Sequence, residues 1–400
     1  PEAVAAAARA VADRIAPRAD GADRDGRFSH ANVAELWREG LGNLALPAAL
    51  GGVGAGLQRT AAAVRQVAAG DASTALVWAL HLLQLRLLGD PAVDWPPALR
   101  ETIVADTLAG PALINALRVE PDLGTPARCG VPATRARRTT AADGAPAWSI
   151  SGRKLFCTGS AGLRWLAVWA ATGEPGDAPP RAGTFFVPAS APGVRIVETW
   201  DHLGLRATES HDIVLEDVVV PEHHALGLAP VGADSPLRQG DLAAWNAALL
   251  SAVYLGVADA ARDWLAGHLN RRVPSNLGAP LASLPRFQAE VGEIEAELLA
   301  AGAVLAALAA AADGGDRGAR AAAARDAGLT KTVVTRAALA AVRRAVAAVG
   351  NAGLTRANPV QRHLRDAQCG PVHTPQDDTV LQAAGRAVLA SSPTANPQGH

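Results

Sequence analysis

Hydrophobic periodicity changes twice along this 400-residue chain, and no other property restricts its fold as strongly. Over residues 1–110 apolar side chains recur at helical spacing. Val4 to Ile15 is Ala-rich, Val33 to Leu41 follows a capping region at Ser29 and Asn32, and a long repeat from Arg59 to Leu88 breaks near Gly70-Asp71. Residues 111–225 turn to short alternating runs divided by Pro, Gly and Asp. Ala147–Ile150, Trp165–Ala170, Thr184–Val187 and Val194–Val197 carry the two-residue period of strands. From 236 to 390 helical spacing returns with heavy Ala and Leu, predicting long helices over 238–269, 284–313 and 317–349 and shorter ones after Asn358 and Pro375. The prediction is an α+β chain in three parts. A helical N-terminal domain (1–110) precedes an antiparallel β-domain (111–225) and a C-terminal bundle of four-helix type (236–390), with a disordered tail at 391–400.

Composition excludes several classes. A formal net charge of -1 offers no electrostatic case for a nucleic-acid or membrane-surface partner. The cysteines, Cys129, Cys157 and Cys369, are odd in number and lack CxxC spacing, so a reducing cytoplasm is expected and a disulfide framework or zinc site is not. No run is read as long enough to span a membrane, and no signal pattern opens the chain. With no methionine anywhere, initiator included, Pro1 is read as a trimmed start. The turn GGVGAG at 51–56 lacks GxGxxG spacing and follows no strand, which speaks against a dinucleotide fingerprint. His223 and His224 read as solvent-facing linker residues with no further carboxylate to complete a metal set.

Residues 200–221, WDHLGLRATESHDIVLEDVVVP, place a Gly turn, a basic residue and two hydroxyls ahead of an alternating strand that Pro221 closes. This run resembles the end of the middle domain in the acyl-CoA dehydrogenase superfamily. Four other stretches resemble that superfamily in the same order: LPAALGGVGAGL (46–57), VEPDLGTP (119–126), SGRKLFCTGSAG (151–162), and the pair VGNAGL (349–354) with RHLRDAQ (362–368). The resemblance covers essentially the whole chain. It implies a bound flavin, with Phe156 and Thr158 at the isoalloxazine, Gly124 and Thr125 in a phosphate-contacting loop, and Gly350 and Gly353 in the C-terminal flavin turn. Arg271 and Arg272 become candidates for a phosphate clamp on a neighbouring subunit's cofactor, which goes with a homotetramer. Arg206 reads as structural.

A dehydrogenase of this superfamily needs a carboxylate to remove the substrate's α-proton. Its two family positions fall here on Thr374 and near Asn246, neither of which serves as a base at neutral pH. Asp377 and Asp378 lie a few residues on and leave a displaced carboxylate open. His81, on a helix with Val77, Trp78 and Leu85, and His373, seven residues after Asp366, stand where that account leaves a gap. Each alone reads equally well as a histidine at a core margin. Together, and with Cys157-Thr158-Gly159, they resemble the superfamily's flavin-dependent monooxygenases of the dibenzothiophene and hydroxyphenylacetate type. That likeness implies catalytic roles for His81, His373 and Thr158 in managing the protons of oxygen activation. It also implies a separate flavin reductase, since no nicotinamide fingerprint is present. A two-component monooxygenase acting on a small organic substrate is therefore preferred over an acyl-CoA or acyl-carrier dehydrogenase with a relocated base, and over a scaffold without catalysis. Room for an adenine half at Gly350–Gly353 and the arginine pair favours FAD over FMN, although that branch often uses FMN.

Overall fold

The computed structural model describes residues 2–123, 130–173, 180–231, 233 and 241–391. Five helices come first: α1 (Glu2–Asp25), α2 (His30–Arg38), α3 (Leu57–Gly70), α4 (Ala72–Leu88) and α5 (Pro97–Ala109). The break between α3 and α4 is built by Asp71. Its carboxylate accepts the Ser73 and Thr74 N–H groups as N-cap of α4, and it also takes a bond from Asn32 of α2. Gly70 is required there because a side chain would lie 2.6 Å from the Ala12 carbonyl of α1.

Eight strands follow: β1 (Leu113–Leu117), β2 (Arg135–Thr140), β3 (Pro146–Lys154), β4 (Leu163–Thr172), β5 (Arg181–Pro188), β6 (Val194–Val197), β7 (Asp212–Pro221) and β8 (Ala225–Pro230). They form one sheet in the order β6-β7-β3-β2-β4-β5-β8, with β1 also paired to β4. Most pairings are antiparallel, as the alternation predicts, but β1 and β2 each run parallel to β4. The sheet is therefore mixed. Alternation fixes which face a strand buries, not the direction of its neighbour.

The C-terminal part holds α6 (Asp241–Arg271), α7 (Pro285–Asp313), α8 (Arg317–Val349), α9 (Asn351–Leu354), α10 (Val360–Ala367) and α11 (Asp377–Ser391). The main core joins α3, α4, α6, α7 and α8 and includes Trp78, Tyr254 and Leu265. A second core lies under the sheet. Contrary to the sequence expectation, α6 and α7 are each long and apolar enough, by length and composition, to cross a membrane. In α6, 78% of the most apolar window is buried, as in the central helix of a bundle, against 33% in α7. The predicted tail beyond residue 391 lies outside the described residues.

Candidate active site

The first wall is built on β3. Lys154 ends that strand with no exposed surface, and its Nζ lies 2.5 Å from the equally buried Glu120 and donates to the Trp169 carbonyl. Glu120 also accepts the N–H groups of Ala133 and Thr134 and the Thr134 hydroxyl, forming with Lys154 a neck that ties the end of β3 to the residues before β2. Burial works to raise the Glu120 carboxyl, but Lys154 and these donors outweigh it and hold its pKa low.

Just beyond, Phe156 sits at φ 53 with 58% of its surface exposed. A large aromatic in the left-handed region and open to solvent costs free energy twice over, and such expense concentrates at functional sites. Its ring meets Trp200 edge-on at 6.2 Å, and Trp200 stacks on His202 at 4.3 Å. Thr158 Oγ1 lies 3.0 Å from Ser210 Oγ, which lies 2.7 Å from Thr208 Oγ1, and Thr208 donates to the Leu205 carbonyl, so three hydroxyls form one chain that ends at Thr158. Backbone bonds from Cys157 to His211 and from Gly159 to Thr208 clasp the two segments together. The Cys157 thiol is buried, which pushes its pKa far up and makes it inert.

The second wall is the turn at 371–377 between α10 and α11. Tyr254 on α6 bonds His373 Nδ1 at 2.5 Å, and Asn246, two helical turns earlier, donates to the Thr374 carbonyl at 3.2 Å. Lys331 of α8 donates to the His373 carbonyl at 2.9 Å. Asp377 is buried and committed to Lys331, Arg336 and Thr332. Asp378 is exposed and bonds its neighbour Thr379. Neither carboxylate is displaced into the role of base. His373 has its pKa lowered to about 4, first by burial and then by Lys331 and His202.

Thr158, Phe156 and His373 thus belong to one run of contacts, and the residue that joins the two walls is His202. It lies 3.9 Å from Cys369, whose carbonyl accepts the His373 N–H, and its Nδ1 donates to the Gly204 carbonyl. Sequence reading passed over it, although its position two residues after Trp200 in the most telling run was the available signal.

His81 is not part of this cluster. Its side chain is fully buried between Trp37 and β1, with Nδ1 accepting the Ile114 N–H at 3.2 Å. Burial lowers its pKa to about 3 against a smaller raising influence from the Gly42 backbone. The expected catalytic place for His81 is corrected to a core one: the helix face that carries it turns inward at a point where β1 needs an acceptor. His224 is corrected as well, being buried and bonded to the Phe186 carbonyl at 2.7 Å. Arg206 is structural, donating to the Asp23 and His202 carbonyls.

The remaining expected cofactor residues are scattered. Gly124 and Thr125 lie outside the described residues. Arg271 and Arg272 are exposed at the end of α6. Gly350 is exposed at φ 58, and a side chain at Gly353 would sit 2.7 Å from the Val346 carbonyl. The RHLRDAQ motif does not touch this site directly. Arg365 pairs with Asp23 of α1, and Asp366 accepts the Leu205 N–H at 2.6 Å, fastening α10 to the 199–211 segment.

Three family models match the chain: acyl-CoA dehydrogenase N-terminal domain at 2–92, middle domain at 120–218 and C-terminal domain at 248–377. A putative acyl-CoA dehydrogenase, YdbM of Bacillus subtilis (strain 168), is 35% identical over 93% of this chain and 92% of its own length. The indole-3-acetate monooxygenase of Pseudomonas putida is 33% identical over 62% of this chain and 64% of that protein. The structure of KijD3 with FMN and a dTDP-linked amino keto sugar superposes with TM-score 0.80 at 30% identity, covering 97% of this chain and 93% of the other. The chain belongs to the acyl-CoA dehydrogenase family and is a flavoenzyme of that superfamily.

Proposed function

We propose that this protein is a two-component flavin monooxygenase, taking reduced flavin from a separate reductase and oxygenating a small organic substrate with O2. The observation that carries this reading is the Asn246–Thr374 hydrogen bond. It joins the two positions, Asn246 and Thr374, on which the family's resemblance puts a dehydrogenase's base, and neither residue accepts a proton near neutrality. The exposed, strained Phe156 and the nearby Thr158 hydroxyl fit a flat ring system laid against them. The flavin, when bound and reduced, supplies the electrons that activate O2. Around it, Phe156 would cover the ring, the Thr158 hydroxyl would meet its edge, and His373, neutral at pH 7, would offer an N–H as a hydrogen-bond donor.

The names of the Pseudomonas monooxygenase and the FMN in KijD3 support the reading. A dehydrogenase acting on acyl thioesters is the second reading, favoured by the description of YdbM. We further propose a cytoplasmic homotetramer in which Arg271 and Arg272 reach a neighbour's flavin phosphate. Gly350 and Gly353 leave room for FAD, and paired titrations with FAD and FMN decide the form, since tighter FMN binding would assign a KijD3-like site. The main test adds acyl-CoAs anaerobically to the oxidised holoenzyme, then supplies a flavin reductase, O2 and a panel of aromatic, sulfide and amine substrates. No bleaching followed by oxygenated product is expected. Bleaching by a thioester establishes the dehydrogenase instead.

A further inference from the structure

Tyr254 is the only tyrosine in the chain and has no exposed surface, yet it stands on α6 among aliphatic residues such as Val253, Leu255 and Val257. A buried phenol in such a place needs a partner for its O–H, because an unpaired buried hydroxyl costs about 1–3 kcal/mol. Among the described residues its hydrogen bond is to His373 Nδ1, at 2.5 Å. That bond has a direction. The phenol keeps its proton, since burial and the nearby Cys369 and Asp366 raise its pKa well above 10. If the tyrosine accepted from an Nδ1–H, its own proton would point into the apolar core with nothing to receive it. The hydroxyl must donate, so Nδ1 accepts.

We infer that Tyr254 is a positioning residue that locks His373 in the tautomer carrying its proton on Nε2, so that the histidine presents an N–H donor on the ring edge away from α6. This rests on the reading of His373 as a proton-holding residue of the site, and it adds which nitrogen holds the proton and what decides it. Two further contacts make the lock stiff. Lys331 Nζ, itself buried, holds the His373 carbonyl at 2.9 Å, and Asn246 holds the next carbonyl, of Thr374, at 3.2 Å. With backbone and Nδ1 both tied, the ring has no freedom to flip and exchange its nitrogens. His202 is set the opposite way. Its Nδ1 faces the Gly204 carbonyl at 3.1 Å and so carries the proton, leaving Nε2 as an acceptor. The two histidines of the cluster therefore offer unlike ends, a donor on His373 and an acceptor on His202.

The test is a two-bond 1H–15N correlation spectrum of the full-length protein labelled with [15N]histidine, recorded near pH 7.5 (roughly one unit above the free histidine pKa) without substrate. His373 is assigned by the signals lost in His373→Gln. The expected result is an unprotonated Nδ1 and a protonated Nε2 for His373. In Tyr254→Phe, which keeps the buried ring, the expected result is a shift of both signals toward a tautomer mixture, with the His81 and His363 signals unmoved. A wild-type His373 protonated at Nδ1 overturns the inference without any variant, as does an unchanged His373 pattern in Tyr254→Phe. Because the readout needs neither flavin nor turnover, it fails or holds separately from the monooxygenase assignment.

Discussion

At the scale of single residues, histidines with different surroundings should respond differently to the same substitution. His373→Asn is expected to leave flavin affinity near wild type while cutting coupled turnover by roughly 10²-fold, with hydrogen peroxide released in place of product. His81→Asn is expected to leave coupling intact and to lower stability by about 1–3 kcal/mol, since the shorter amide leaves a void beside Trp37 and brings an unpaired amide N–H into a fully buried place. Measuring peroxide and product per reductant consumed, alongside urea unfolding, separates the two. If His81→Asn uncouples the enzyme, its placement as a core residue fails. Acid stability follows from the same groups. His81 and His363 are lowered to about 3 and His373 to about 4, chiefly by burial. Each binds a proton in the unfolded chain near 6.5 but not in the fold, so their contribution is complete above that value and drains away as pH falls toward 4. Each costs about 1.4 kcal/mol per pH unit within that window. Asp366 works the other way, because burial raises it to about 6 and the fold then holds its proton more tightly than the unfolded chain does. The unfolding midpoint should therefore drop between pH 6.5 and 4, and the drop should be shallower in His81→Asn.

At the scale of elements, the neck formed by Glu120 and Lys154 is where the fold and the site depend on each other. Glu120→Gln leaves a buried ammonium without its counter-charge and should cost about 3–5 kcal/mol in urea unfolding. A loss under about 1 kcal/mol would mean the pair is solvated rather than buried. The elements were the most legible part of the sequence. The break at Gly70-Asp71, the helices at 284–313 and 317–349 and most of the strands follow from period and capping alone. Helix α1 runs to Asp25, past the Val4–Ile15 repeat, and its second half is held by polar contacts, Arg18 with Asn32 of α2 and Asp20 and Asp23 with Arg362 and Arg365 of α10, which leave no apolar period to read. The parallel pairings of β4 were not legible, since partners distant in sequence set them. The site was legible where its residues share a short motif, as in KLFCTG. It was illegible where three segments meet: the place of His202 after Trp200 marks it only as part of a motif, and nothing local distinguishes His81 from a ligand-facing residue.

At the scale of the whole molecule, the outer apolar surface argues for assembly. Leu299 on α7, Val333 on α8 and Leu389 on α11 are exposed by 76%, 49% and 76%, and α7 is mostly unburied despite its apolar composition. Light scattering should return the mass of a tetramer. Leu299→Glu combined with Val333→Glu should reduce it and weaken flavin binding together, if Arg271 and Arg272 act across the interface. A tetramer that dissociates with no change in flavin affinity would place the whole cofactor site within one subunit.

The burial of Lys154 also reaches beyond the active site. The chain has just two lysines, Lys154 and Lys331, and both side chains are entirely enclosed. In its folded form the protein therefore offers amine-directed reagents no lysine at all. Apart from the α-amino terminus, acylating dyes, cross-linkers and surface-immobilisation chemistries will register it only as it opens, so the rate at which its lysines are modified becomes a direct clock of unfolding.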